Sequence, residues 1–210
     1  GYALEIYERW AMKVGIPPKQ VERTRDNLRM AAMLHDVGKV AISDVILKKP
    51  GRFTPEERVI METHTWQGAW LFQNKQSEFD ELAQIVVLNH HENWDGTGYP
   101  GHIDVETGTP TKKDSKGKAI GKKGKEIPIM GRIVALADVY DALRSSRVYK
   151  SAWSEEDTLK EMRALAGTRF DPELVDVFFE VLPSIQTISA RYAESEENGE
   201  NDDPDLPGLT

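Results

Sequence analysis

Apolar positions recur at three- and four-residue steps through most of the chain, the spacing of helices that bury one face. Leu4, Tyr7, Ala11 and Val14 share a face of a first helix, which Gly15 and the Pro17-Pro18 pair stop. A second is predicted from Lys19 to His35, with Leu28, Ala31, Ala32 and His35 in register. Thr54 followed by Pro55, Glu56 and Glu57 has the form of an N-cap with proline and acids in the first turn, so a helix opens there towards His64. Further helices are expected over Trp66 to Phe72 and over Glu81 to His91, where Leu82, Ile85, Val86 and Asn89 are helically spaced. Pro128 opens a strongly apolar one, Ile129 to Leu143; Ser154 with Glu155 and Glu156 caps the next, and Asp171-Pro172-Glu173 starts the last. With no alternating strand pair and no internal repeat, the pattern predicts an all-α, single helical domain.

Two segments break that pattern. Between Gly101 and Glu126 stand seven Lys, four acids and five Gly without apolar period, which reads as a long, exposed Gly/Lys-rich loop. From Glu194 to Asp205 there are seven acids and no base, so residues 194–210 read as a disordered acidic C-terminal tail on a folded domain of residues 1–193. Of the total charge of −8, residues 1–193 carry only −1, which offers no basic face to DNA or RNA. No apolar run approaches the roughly 20 residues needed to cross a bilayer, and no signal-peptide core stands at the start, so the chain reads as soluble and cytoplasmic.

The absence of cysteine removes thiolate metal sites, iron-sulfur clusters and Cys nucleophiles together. Any metal must be held by histidine and carboxylate, and the five histidines fall suggestively: His35 beside Asp36, His64, and His90-His91 followed by Glu92. Asp138 lies inside the most apolar helix, where a carboxylate is costly unless paired or metal-bound. Asp141 follows one turn later, as either a surface residue or an acceptor supporting the site. Such a nitrogen and oxygen set suits iron, manganese or zinc. Neighbours on a helix point about 100° apart, so His35 and Asp36 need not serve one ion; Asp36 can instead bridge two. His102, in the Gly/Lys loop, reads as solvated. Trp66, Trp70 and Trp94 can stack a base or pack in the core, core being expected for Trp70, and Trp153 is expected to be structural.

Taken in order, Leu34-His35-Asp36-Val37-Gly38-Lys39, His64 ahead of Gly68, the run His90-His91-Glu92-Asn93-Trp94-Asp95-Gly96-Thr97-Gly98-Tyr99-Pro100, Ala137-Asp138-Val139-Tyr140-Asp141-Ala142-Leu143 and Arg147-Val148-Tyr149-Lys150 resemble the HD-GYP family. The resemblance implies an all-helical HD-type metal enzyme that hydrolyses cyclic di-GMP to pGpG or GMP. It implies two divalent ions, iron or manganese, held by His35, Asp36, His64, His90, His91 and Asp138. Asp36 would bridge, with Asp138 on one ion and His64, His90 and His91 on the other. It makes Asp36 and Lys39 catalytic and places Lys39, Tyr99, Asp141, Arg147 and Lys150 against substrate. Diguanylate-cyclase or receiver-type domains are the implied protein partners, and nothing separates cyclic di-GMP from cyclic GMP-AMP as substrate.

The sequence departs from the family pattern near its start. The family's first His ligand falls, by register, at or just beyond Gly1. The ion served by His35, Asp36 and Asp138 is therefore expected to be one ligand short, with weaker metal retention, reduced activity and no third ion. The alternative reading is a catalytically impaired module that binds a cyclic dinucleotide or a diguanylate-cyclase partner.

Overall fold

A computed structural model describes residues 1–145 and 153–198, and for 192–198 the backbone alone. Among the described residues the regular structure is helical: α1 (Tyr2–Lys13), α2 (Pro18–Met33), α3 (Asp44–Leu47), α4 (Pro55–Glu62), α5 (His64–Trp70), α6 (Glu78–Asn89), α7 (Ile129–Arg144), α8 (Glu155–Ala164), α9 (Pro172–Glu180) and α10 (Leu182–Asn198). Two short 3-10 turns, Val37–Ala41 and Gly124–Glu126, complete the set. No strand longer than an isolated bridge is present among these residues.

The most apolar helix is central, as a helix hydrophobic on all sides must be. α7 packs against α1, α6, α8 and α9, and buries Ile133, Val134, Leu136, Val139 and Tyr140. Tyr7 and Leu28 from the N-terminal pair, Val86 from α6 and Phe178 from α9 fill the space around it. Tyr140 meets Tyr2 edge-on at 5.1 Å and Phe178 at 5.2 Å. This core leaves the C-terminal ends of α2, α4 and α6 as fixed points from which the turns bearing histidine emerge.

Several boundaries move from their expected places for local reasons. α2 stops at Met33 rather than His35, so the His35-Asp36 pair lies in the turn that follows. α5 starts at His64 itself. α6 starts at Glu78 because Ser77 and Asp80 form a capping box. The helix opened by Asp171 is not the last: α10 follows, buries Ile185 and carries helical backbone past Glu194 as far as Asn198. Pro183 stands in its first turn, where the missing N–H has no helical partner to lose. Trp70, expected in the core, ends α5 on its outer side and is 45% exposed.

The Gly/Lys segment is also more ordered than its composition suggests. Its two arms pair through His102 N–H to Ile120 O (2.8 Å) and Ile120 N–H to Lys112 O (3.0 Å). Isolated antiparallel bridges join Ile103 to Pro110 and Lys113 to Ala119. Asp104 and Asp114 turn the chain by accepting backbone N–H groups from Thr107, Lys116 and Lys118, the Asx chemistry of tight turns. Pairing over so few residues leaves no alternation to read. His102, expected to be solvated, lies within 3.5 Å of Glu126 and 3.3 Å of Lys112.

The cap anticipated at Thr54 is present. Its hydroxyl accepts the Glu57 N–H at 3.2 Å, and the Glu57 carboxylate accepts the Thr54 N–H at 2.7 Å. Thr54→Ala is expected to lower stability by about 1 kcal/mol, read as the urea midpoint. Because α4 ends at the turn into His64, the loss should be larger for the metal-loaded chain than for the metal-free one.

Candidate metal centre

Three turns at helix ends and the middle of a further helix deliver the site. His35 and Asp36 follow α2, His64 opens α5 directly after α4, His90 caps the C-terminus of α6 with His91 next, and Asp138 projects from α7. The approach of the first two elements depends on glycine. A Cβ on Gly38 would overlap the carbonyl oxygen of His64 and the amide of Gly68, so only glycine lets the turn after Asp36 lie against α5.

Each of three imidazoles is oriented by the carbonyl three residues before it. Nδ1 lies 2.6 Å from Ala32 O in His35, 2.7 Å from Met61 O in His64 and 2.9 Å from Val87 O in His90. A carbonyl only accepts, so each Nδ1 donates, and in a neutral ring that leaves Nε2 bare and free to ligate. His64 Nε2 and His90 Nε2 are 3.5 Å apart, and both face Asp36 Oδ1, at 3.3 and 3.6 Å. Asp36 Oδ1 is buried and has no hydrogen-bond donor among the described residues. Lone pairs crowded together at this depth call for a cation among them. The candidate ligand atoms of Asp36, His64, His90 and His91 all lie within 4.8 Å of one another.

The second carboxylate oxygen looks the other way. Oδ2 of Asp36 is 3.4 Å from His35 Nε2, whose other neighbour is Asp138 Oδ1 at 3.5 Å. Lys39 Nζ donates to the same Oδ2. Asp36 thus joins two donor groups, with His64, His90 and His91 on one side and His35 and Asp138 on the other.

The electrostatics agree with that division. Burial opposes ionisation of Asp36, but His35 and the Lys39 ammonium at Oδ2 hold its carboxyl far below the usual range. Burial lowers His90, and burial with the adjoining imidazoles takes His91 down to about 2, so both remain neutral and able to ligate. For His35 burial would lower the pKa, but Asp138 and Asp36 overcome it and push the ring up to about 10 from 6.5. A cation on that side must displace the His35 proton. Mn(II) affinity is therefore expected to rise with pH, by up to about tenfold per unit between roughly pH 7 and 10, with proton release on binding. Calorimetry in two buffers of different ionisation enthalpy checks this, and an affinity flat from pH 7 to 9 would contradict it.

The segment from His90 to Pro100 folds back on the ligand pair. Tyr99 donates its backbone N–H to His91 O at 3.1 Å and stacks its ring on that of His91, with centroids 4.8 Å apart and planes 29° from parallel. Burial raises the Tyr99 pKa, so its hydroxyl remains a donor. Backbone bonds from Trp94 to Arg169 O (3.1 Å) and from Asp95 to Thr168 O (2.8 Å) tie the segment to the turn before α9. Arg132 supports it from α7, 5.7 Å from the Trp94 ring centroid and ion-paired with the buried Asp171 at 2.5 Å.

All six expected metal ligands meet at this centre, and Lys39 and Tyr99 border it. Asp141 lies exposed on α7, one turn beyond Asp138. Arg147 and Lys150 lie outside the described residues. What sequence reasoning missed is the support: the three carbonyls behind the imidazoles, and Glu92, Asn89 and Lys122. Glu92 is 2% exposed and accepts N–H bonds from Gly101 (2.7 Å) and Lys122 (3.1 Å). A carboxylate directly following two candidate ligands was the available signal.

Residues 2–143 match the HD domain family. The chain is 38% identical over 159 residues to the 3'3'-cGAMP-specific phosphodiesterase 2 of Vibrio cholerae, which covers 76% of this chain and 27% of that protein. It is 35% identical over 189 residues to a cyclic di-GMP phosphodiesterase response regulator of Xanthomonas campestris, covering 89% of this chain and 45% of the relative. With a cyclic di-GMP phosphodiesterase of Thermotoga maritima it shares 37% over 183 residues, 86% of this chain and 45% of that one. The chain therefore spans less than half the length of these relatives. In fold it is similar to the crystal structure of a cyclic GMP-AMP-specific phosphodiesterase of Vibrio cholerae, with a TM-score of 0.53 and 20% identity, over 90% of this chain and 47% of that one.

Proposed function

Because this chain belongs to the HD domain family, on its HD-GYP branch, we propose that it is the catalytic domain of a metal-dependent cyclic-dinucleotide phosphodiesterase. The observation that carries the reading is the buried, donorless Asp36 Oδ1 facing the bare Nε2 atoms of His64 and His90. Asp36, His64, His90 and His91 would hold one divalent ion, and Asp36, His35 and Asp138 a second; this nitrogen and oxygen donor set suits iron, manganese or zinc, of which iron or manganese is proposed. When bound, the ions supply a water acidic enough to attack phosphorus and charge to neutralise the phosphate oxygens.

The remaining work falls to the chain itself. Asp36 spans both donor groups and fixes their separation. Lys39, held on Asp36 Oδ2, would meet a non-bridging phosphate oxygen and stabilise charge as it builds. Tyr99 stays protonated against His91 and can donate to the substrate or to the leaving oxygen. Asp141, Arg147 and Lys150 belong to the same proposal as substrate contacts. The relatives act on cyclic di-GMP and on 3'3'-cGAMP, and either fits the chemistry proposed here. Receiver-type or diguanylate-cyclase domains are the proposed partners, and the cytoplasm the proposed compartment. No helix among the described residues is long and apolar enough to cross a membrane.

The test is chromatographic. The chain is incubated anaerobically with cyclic di-GMP or 3'3'-cGAMP and Fe(II) or Mn(II). Linear dinucleotide or mononucleotide product is expected, and none without metal. Nucleotide binding without turnover under every metal condition would instead assign the domain to ligand sensing.

A further inference from the structure

Of the seven lysines between Gly101 and Glu126, six are exposed and one is not. Lys122 turns inward, and its Nζ donates to Asn89 Oδ1 at 2.6 Å. Its backbone N–H donates to Glu92 Oε2 at 3.1 Å, while Glu92 Oε1 takes the Gly101 N–H at 2.7 Å. Asn89 and Glu92 are both 2% exposed, and they are the residues immediately before and after His90-His91.

One residue of the loop therefore grips both flanks of the ligand pair, and Glu92 closes the loop by joining its first and last turns. Asn89 cannot retreat: its amide nitrogen is held by Ile85 O at 2.7 Å, and its Cβ lies where α6 meets Gly131 of α7. Without the Lys122 side chain the last turn of the loop loses its bond to Asn89, and Glu92, which takes the N–H of that same turn, is free to swing outward with it. That movement would release Gly101 and, beside it, Tyr99 and Pro100. It would also free the backbone that aims His91, for which no orienting bond like those of His35, His64 and His90 is present among the described residues.

We propose that Lys122 is a positioning residue for the metal centre, holding His90-His91 through Asn89 and Glu92, and that the Gly/Lys loop is the strap that carries it there. The inference rests on the metal-centre reading above and adds to it a residue distant in sequence from every ligand. Outer partners of metal ligands commonly set affinity over one to two orders of magnitude.

The experiment compares the full chain with Lys122→Met, Lys122→Arg and, as an exposed control in the same loop, Lys118→Met. Mn(II) affinity is measured by electron paramagnetic resonance, and the melting temperature of each metal-free protein is recorded. Lys122→Met is expected to bind Mn(II) about tenfold more weakly at an unchanged metal-free melting temperature, with Lys122→Arg restoring most of the affinity and Lys118→Met matching the parent. Equal affinity in Lys122→Met overturns the proposal. So does a loss of affinity that only follows a fall in melting temperature and that Arg does not restore, since Lys122 would then serve stability alone. If the parent chain binds no Mn(II), the metal-centre reading itself has failed, an outcome distinct from both.

Discussion

Asp36→Ala is expected to abolish phosphodiesterase activity, by on the order of 10³-fold or more, and to leave the purified protein with little metal. The size follows from what one side chain joins. Oδ1 faces His64 and His90, and Oδ2 faces His35 and Lys39. Removing the carboxylate dismantles both donor groups, and metal assistance worth several kcal/mol corresponds to about three decades in rate. Metal content by mass spectrometry and single-turnover product formation measure the two effects separately. Retained metal with lost activity would confine Asp36 to the chemical step, and retained activity would remove it from the centre altogether. The variant should fold, because Asp36 is one-third exposed and contributes nothing to the apolar core.

Gly38→Ala should do comparable damage with a single methyl group that touches no ligand. The added carbon would meet backbone on α5, and backbone cannot rotate away as a side chain can. Gly68 offers no slack either, since its own missing Cβ is what lets Val87 and Gly38 approach. The turn must lift away, carrying Asp36 from His64, at an expected cost of about 2–3 kcal/mol of overpacking. Denaturant unfolding and Mn(II) binding check the two halves of this expectation. A variant with parental stability and affinity would mean that the turn and α5 can separate freely.

The resemblance to a known family picked out six candidate ligands in the sequence, because their motifs are short and ordered, and the geometry brings all six side chains together. Helix periodicity likewise located most of the fold, since α1, α7 and α9 bury one face or all faces at regular steps. What stayed hidden was set by tertiary contact. The bond from Lys122 to Asn89 crosses 33 positions, through a segment whose paired arms are too short to show alternation. Trp70 followed helical spacing yet faces outward, because spacing relates residues to one another and does not say which neighbour covers them. α10 follows α9 after Val181 alone, and its acidic continuation resembles a solvated tail in composition although its backbone remains helical to Asn198.

The carbonyls behind the three imidazoles belong to Ala32, Met61 and Val87, each in the last turn of a helix. Helix C-termini leave such groups unsatisfied and carry a partial negative charge. The ring tautomers are thus dictated by main chain, which no codon change at those three positions can delete. Drift at Ala32, Met61 and Val87 is therefore free to follow packing alone. A lineage can lose the proposed centre by substituting a candidate ligand, whereas the wiring that aims the imidazoles is inherited with the helices.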